Sequence, residues 1–208
     1  MQERYSIAVD MDGVIADILT PWVDVLRKKE GETLSVHDIT DWDIGRFCRC
    51  GEKALDYLNY DLFRRLPVIP GAKEALKRLQ EYYDIYIVTS ATQKSEIITA
   101  KYEWLDEHFP FIEPDYRMFV GKKDPIYTDY LIDDGIHNLE VFKGIGILFD
   151  QPYNRFENRF IRARNWKEIE RYFIFRRLPG TWRDKRLQDR GDSDFPRFFF
   201  FLFVKAGT

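Results

Sequence analysis

The stretch YSIAVDMDGVIAD, residues 5 to 17, places two acids, Asp10 and Asp12, directly after an apolar run. A carboxylate resists burial and repels a second carboxylate beside it. Paired acids at the end of a buried strand therefore indicate one of three things: a bound cation, a catalytic nucleophile or an ordinary turn. The rest of the chain has to decide between them.

The composition limits the class of protein. Of 208 residues, 45% are hydrophobic and 16% aromatic, which suffices for one domain, or for one domain carrying a small insertion. The formal net charge of −3 argues against a protein that binds nucleic acid polymers. The two cysteines, Cys48 and Cys50, stand one residue apart without a second Cys/His pair, so we expect neither a zinc site nor a disulfide framework.

The sequence predicts no contact with a membrane. No apolar run approaches ~20 residues, and the first predicted strand follows MQER directly, without a signal peptide. We therefore expect a cytoplasmic protein.

The apolar segments are short and continuous, which is typical of strands buried on both faces. Helical patterns separate several of them; in AKEALKRLQEYY, for example, apolar residues recur at steps of three and four. This alternation predicts an α/β fold with a central parallel sheet and right-handed crossovers. The predicted strands are residues 5–9, 84–88, 117–120, 130–132 and 145–149.

Two regions depart from this alternation. Residues 18–70 are too long for a simple crossover, and they contain helical pieces, including residues 52–66, around an aromatic-rich middle. We interpret them as a small helical cap above the sheet, and assign residues 1–17 and 71–175 to the core domain. Residues 176–208, which include FFFFLFV, are interpreted as an accessory or disordered tail.

Polar side chains follow four of the five predicted strands. Because the carboxyl ends of parallel strands share one edge of an open sheet, these side chains should converge there. Carboxylate oxygens suit a hard cation, of which Mg²⁺ is the usual choice, and hydroxyl and ammonium groups suit a phosphate. The residues are Asp10 and Asp12, Thr89 and Ser90, Lys122 and Lys123, and Asp133 and Asp134.

Each of these signals has an ordinary structural alternative. Asp12-Gly13 and the DDG at 133–135 are common turn sequences, Thr89-Ser90 can cap a helix, and a lysine pair is usually solvated. Their joint occurrence, each at a strand end and in this order, favours a site.

The chain resembles the haloacid dehalogenase-like phosphohydrolases, in which DMDGV, IVTS, Lys123 and IDD match the four motifs in order. More narrowly, DMDGVIAD, KYEWLDEHFPFI and GKKDPIYTDYLIDDG resemble the 5'(3')-deoxyribonucleotidases. The resemblance implies a Rossmann-like three-layer sandwich with a cap inserted after the first strand. It also implies a phosphomonoester hydrolase that acts on nucleoside monophosphates.

The resemblance further implies roles for four catalytic residues. Asp10 attacks phosphorus to form an aspartyl-phosphate, and Asp12 protonates the leaving alcohol and later takes a proton from water. Thr89 holds a phosphoryl oxygen, and Lys123 balances charge on the phosphate and the nucleophile.

By the same resemblance, Mg²⁺ is held by a carboxylate oxygen of Asp10, the backbone carbonyl of Asp12 and Asp134, with Asp133 close behind. The candidate substrate contacts are Ser90, next to the phosphate site, and the cap aromatics Trp42 and Phe47.

Several alternatives remain open at this stage. The spacing of ten residues to Asp133 favours Lys123 over Lys122, Trp42 and Phe47 can equally be packing residues, and Lys101 can approach the phosphate or lie in solvent. A sugar phosphate would use the same four motifs, and a phosphoacceptor receiver domain gathers similar groups on a similar sheet. The oligomeric state is open, with a homodimer as one possibility.

Overall fold

The computed structural model describes residues 4–90 and 94–175. Of the described residues, those up to Arg171 form one compact unit, and residues 172–175 belong to a second. The predicted tail, residues 176–208, lies outside the described residues.

Six parallel strands form a single sheet in the order β3-β2-β1-β4-β5-β6. The first strand is therefore central, with β2 and β4 beside it, and the carboxyl ends of these three strands are neighbours at one edge. The strands are β1 (Ser6–Val9), β2 (Asp84–Ser90), β3 (Arg117–Val120), β4 (Tyr130–Asp133), β5 (Ile145–Phe149) and β6 (Ile161–Ala163).

Helices connect β1 to β2, β2 to β3 and β4 to β5. In the third helix, the buried residues Ala72, Ala75, Leu76 and Leu79 form the stripe that the sequence periodicity predicts. The helices are α1 (Leu19–Glu30), α2 (Tyr60–Arg64), α3 (Ala72–Gln80), α4 (Ser95–His108), α5 (Ile136–Val141) and α6 (Trp166–Phe175).

Both faces of the sheet are buried. Along β1, Ile7, Ala8 and Val9 are all shielded from solvent, although successive side chains point to opposite faces. Ala8 packs in a cluster with Leu131 of β4 and Leu139 of α5. The predicted α/β architecture with a central parallel sheet is confirmed.

The segment between residues 18 and 70, which we call the insertion, leaves and re-enters the core at one point. The Asp17 amide donates to the Pro67 carbonyl at 2.9 Å, and the Ile69 amide donates to the Ile15 carbonyl at 2.9 Å. Within the insertion, the Trp22 indole donates to the Ala54 carbonyl at 2.8 Å. The ends of the insertion are thus held together by backbone hydrogen bonds.

Three elements differ from the sequence prediction. The helix predicted for residues 52–66 is a 3₁₀ helix at Gly51–Tyr57 followed by α2, because the Asn59 side chain accepts from the Leu62 amide and starts a new helix. Neither β6, with three residues, nor α5, with six, was predicted. Both are too short to produce a recognisable period.

One finding bears on membranes: within the described ranges, no helix combines the length and the apolar character needed to span a bilayer.

Helix α4 fastens the insertion to the core. The Trp104 indole is fully buried and donates to the Leu66 carbonyl at 2.8 Å. A second residue of this helix, Glu107, forms an ion pair with Arg64 of the insertion at 2.6 Å.

We expect Trp104→Phe to lower the free energy of unfolding by about 1–3 kcal/mol, because the Leu66 carbonyl would lose its buried donor. Tyr102→Phe is the matched control, since Tyr102 is exposed on the same helix and should change stability by less than about 0.5 kcal/mol. Urea denaturation followed by circular dichroism measures both. Equal stability of the two variants would contradict this role of Trp104.

Candidate active site

Three acids meet at the carboxyl edge of the sheet. Asp10 follows β1 and its amide donates to the Ile132 carbonyl at 2.9 Å, which fixes it beside β4. Asp133 ends β4, and Asp134 follows it. One oxygen from each of the three carboxylates lies within 4.8 Å of the others, and all three residues are buried.

A buried lysine joins two of these acids. Lys123 Nζ lies 2.7 Å from Asp10 Oδ1 and 2.6 Å from Asp133 Oδ2, and its side chain is 1% exposed. Burial opposes the charged ammonium, but attraction to Asp10 and Asp133 outweighs it and raises the pKa of Lys123. Lys122 is exposed. The structure therefore brings Lys123, and not its neighbour, to the acids.

The oxygens of Asp133 are fully engaged. Oδ1 accepts from the Gly135 amide at 2.8 Å and from Asn138 Nδ2 at 3.0 Å, while Oδ2 accepts from Lys123. Burial raises the pKa of Asp133, and the charge of Asp10 adds to the effect. These contacts suit a carboxylate that holds Lys123 in place more than one that binds a cation directly.

Asp134 lies against Gly13 and Tyr153. The Tyr153 hydroxyl donates to Asp134 Oδ2, and Asn154 Nδ2 donates to the Asp134 backbone carbonyl at 3.0 Å. Burial, then the charges of Asp10 and Asp133, raise the pKa of Asp134 well above its usual range. Gly13 has φ +75°, and a β-carbon there would overlap Asp134 Oδ2. Only glycine fits this position.

A second buried lysine, Lys101 of α4, lies on the other side of the site. Its Nζ lies 2.5 Å from Asp12 Oδ2, 2.9 Å from Thr89 Oγ1 and 2.9 Å from the Ser90 carbonyl. The Phe63 ring of the insertion lies 5.0 Å from this ammonium. Lys101, for which the sequence left open a place near the phosphate or in solvent, is thus buried among the candidate catalytic groups.

Asp12 has one oxygen bound and one free. Oδ2 accepts from Lys101, whereas Oδ1 is buried and accepts no hydrogen bond from any residue in the described ranges. Burial raises the pKa of Asp12; Lys101 opposes this shift, and Asp10 adds to it. A free oxygen on a carboxyl group that favours protonation can donate a proton to a bound ligand.

The charge of the site fits a divalent cation. Four acids and two lysines meet at this edge, so acidic groups outnumber basic ones where oxygen ligands converge. Hard divalent cations prefer oxygen ligands of this kind. Asp10 and Asp134 are the best-placed side-chain ligands, because Asp133 already has donors on both oxygens.

The predicted substrate contacts lie in different surroundings. Ser90 is exposed at the end of β2. Trp42 is 56% exposed, and its ring centroid lies 5.1 Å from that of Tyr153 and 5.2 Å from that of His137. These rings border a cavity of about 280 Å³ that reaches Asp134. Phe47 is half-buried and does not line this cavity.

Sequence reasoning missed the segment after β5. Tyr153 and Asn154 both bond Asp134, and Gln151 Nε2 donates to the Gly13 carbonyl at 2.5 Å. The signal was present, because DQPYN at residues 150–154 is polar and follows the fifth apolar run. The polar residues that follow the fifth predicted strand therefore indicate this part of the site in the same way as those that follow the other four.

Comparison with known proteins gives a consistent result. The family described as "5' nucleotidase, deoxy (Pyrimidine), cytosolic type C protein" matches residues 4–178. Proteins named 5'(3')-deoxyribonucleotidase from Bacillus subtilis (strain 168) and Bacillus phage SPbeta are each 48% identical over 168 residues, which cover 81% of this chain and 98% of theirs.

Among solved structures, the haloacid dehalogenase-like protein SP0104 from Streptococcus pneumoniae matches with a TM-score of 0.56 at 13% identity, covering 83% of this chain and all of that one. The magnesium-bound HAD-hydrolase YfnB from Bacillus subtilis matches with a TM-score of 0.52 at 16% identity, covering 83% of this chain and 99% of that one. At this identity, the two structures support the fold alone.

We expect Gly13→Ala to impair divalent-cation binding as well as to strain the backbone. Gly31 is the matched control, because it has φ +66° and open space around it. Both alanines should cost about 1–2 kcal/mol in unfolding free energy for the left-handed backbone. Only Gly13→Ala should also displace Asp134 and weaken divalent-cation binding, by roughly 10–100-fold. Calorimetric titration with Mn²⁺ measures the affinity, and equal affinities in the two variants would refute the role of Gly13.

Proposed function

Since this chain belongs to the 5'(3')-deoxyribonucleotidase family of haloacid dehalogenase-like hydrolases, we propose that it is a magnesium-dependent phosphatase of deoxyribonucleoside and ribonucleoside monophosphates. The observation that carries the proposal is the placement of Asp10, which is held by Lys123 at 2.7 Å and lies beside Asp134 at the sheet edge. Membership of this family of hydrolases argues against the alternative of a phosphoacceptor receiver domain.

Asp10 is the nucleophile. Its carboxylate oxygen forms a bond to phosphorus while the bond from phosphorus to the leaving oxygen breaks, which gives an aspartyl-phosphate. Lys123 holds the Asp10 carboxylate in position for this attack, through the 2.7 Å contact of its ammonium with Asp10 Oδ1. Catalysis of such a slow reaction depends largely on positioning and on charge neutralisation, and the buried site provides both.

Asp12 transfers the protons. In the first step, it donates a proton to the leaving oxygen, and its raised pKa favours the protonated form that this requires. In the second step, the Asp12 carboxylate takes a proton from the water that attacks phosphorus. The bond between phosphorus and Asp10 breaks, which releases Asp10. Lys101 holds Oδ2 in both steps, which leaves Oδ1 for the proton.

The phosphoryl oxygens meet hydroxyl and ammonium donors. Thr89 Oγ1 accepts from Lys101, so its own proton is free to be donated to a phosphoryl oxygen. Asp10, Asp134 and the backbone carbonyl of Asp12 would hold Mg²⁺, with Asp133 behind them. When bound, Mg²⁺ neutralises charge on the phosphoryl group.

The insertion and the end of β2 provide the contacts to the nucleoside. Trp42 presents an exposed ring beside the cavity that reaches Asp134, and Ser90 lies exposed at the end of β2. We assign both residues to substrate binding, whereas the position of Phe47, half-buried and away from this cavity, does not support the same assignment. A cap that closes over its ligand suits a small phosphomonoester better than a phosphoprotein.

Substrate class is tested with a panel of phosphomonoesters, in which dUMP and dTMP stand beside sugar phosphates, with Mg²⁺ and with EDTA. We expect higher kcat/KM values for the nucleotides and loss of activity in EDTA. If sugar phosphates are hydrolysed as well as the best nucleotide, the nucleotidase assignment fails while the phosphatase chemistry stands.

Asp10→Asn should abolish turnover of every substrate, because an amide is not a competent nucleophile. Asp61→Asn is the control, since Asp61 is a solvent-exposed acid of the insertion and should retain full activity. Circular dichroism checks that both variants are folded. Residual turnover by Asp10→Asn comparable to the wild type would exclude the aspartyl-phosphate route.

Asp12→Asn should lower kcat/KM for a nucleotide by about 10²–10⁴-fold, since general-acid catalysis is lost. For p-nitrophenyl phosphate the decrease should be much smaller, because its good leaving group departs without protonation. Steady-state assays of the wild type and of Asp12→Asn with each substrate give the decrease in kcat/KM for the nucleotide and for p-nitrophenyl phosphate. An equal decrease for the two substrates would show that Asp12 does not act as the acid.

A further inference from the structure

The three clustered acids differ in the donors that hold them. Asp10 and Asp133 share the ammonium of Lys123. In the described part of the chain, the side chain that donates to the Asp134 carboxylate is the phenol of Tyr153. One acid of the cluster is therefore held by a neutral group and the other two by a cation.

A neutral donor orients a carboxylate without cancelling its charge. An ammonium at the place of the Tyr153 hydroxyl would compete with a metal ion for Asp134, whereas a phenol leaves the full charge available. Partners of this kind, which fix the rotamer of a metal ligand, strongly affect metal affinity in proteins. Because Asp134 is buried, water cannot readily replace the Tyr153 hydroxyl as the hydrogen-bond donor to its carboxylate.

Tyr153 is itself held on two sides. The next residue, Asn154, donates to the carbonyls of both Asp134 and Phe149, which attaches the segment after β5 to the metal-ligand backbone. On the other side, the indole of Trp42 packs edge-on against the phenol ring, with the planes at 89°. The insertion therefore contacts the residue that holds Asp134.

We propose that Tyr153 is a positioning residue for the metal site, which fixes the Asp134 carboxylate so that its second oxygen remains for the cation, and that Trp42 supports the Tyr153 ring. The inference rests on the metal site of the proposed function, but not on the identity of the substrate. It assigns the insertion a part in metal binding in addition to covering the substrate.

The test is the dissociation constant for Mn²⁺, used as a probe for Mg²⁺ and measured by calorimetry without substrate. We expect Tyr153→Phe to raise it by about 10–100-fold. Tyr57→Phe is the matched control, because the Tyr57 hydroxyl makes the same kind of bond to Glu30, a carboxylate outside the site. The control should bind Mn²⁺ as the wild type does.

A second readout separates positioning from general damage. In Tyr153→Phe, the Mg²⁺ concentration for half-maximal activity should rise, while kcat at saturating Mg²⁺ recovers towards the wild-type value. A purely structural role would lower stability without shifting the metal requirement.

Trp42→Leu provides an independent variant in case Tyr153→Phe does not fold, since Trp42 is exposed and the variant keeps the Tyr153 hydroxyl but removes the ring that packs against it. We expect weaker Mn²⁺ binding than in the wild type, by a smaller factor than for Tyr153→Phe. Wild-type affinity in Tyr153→Phe, or in Trp42→Leu if that variant alone folds, overturns the proposal. If the variants bind Mn²⁺ more weakly than the wild type but the wild type hydrolyses no nucleotide, the positioning role stands and the proposed substrate is refuted.

Discussion

The site depends on one buried ammonium ion. Lys123 lies between Asp10 and Asp133, which end the neighbouring strands β1 and β4. Without this charge, two carboxylates would repel each other in an apolar setting. The ammonium offsets this repulsion and holds the two side chains together. The parallel register of the two strands brings the two acids together, and Lys123 reaches them from the segment between β3 and β4.

Much of this arrangement could be predicted from the sequence, because strand ends on one edge of a parallel sheet converge whatever the loops between them do. Asp10, Asp134 and Lys123 each follow a recognisable apolar run. Lys101 could not be placed, since a lysine in an amphipathic helix looks the same whether it is solvated or aimed at a buried acid. Its burial results from α2 packing on α4, a tertiary contact with no signature in the local pattern.

The aromatic residues of the insertion were the least predictable. Trp42 lies beside the site, whereas Phe47, five positions later, does not line the same cavity. Both residues occur in an irregular segment without a period from which to infer which face each occupies. The insertion contacts the candidate catalytic groups at two points, through Phe63 at Lys101 and through Trp42 at Tyr153. The first of these residues, Lys101, bonds Asp12, and the second, Tyr153, bonds Asp134.

The backbone pairing of residues 15–17 with residues 67–69 has a consequence for how such a protein can diversify. A segment whose two ends are joined at its base acts on the sheet as a single attachment point. Its interior can then lengthen, shorten or be exchanged at an entropic cost that grows only slowly with loop length. One catalytic sheet can in this way carry different lids, each selecting its own leaving group while the phosphoryl chemistry beneath it is unaltered.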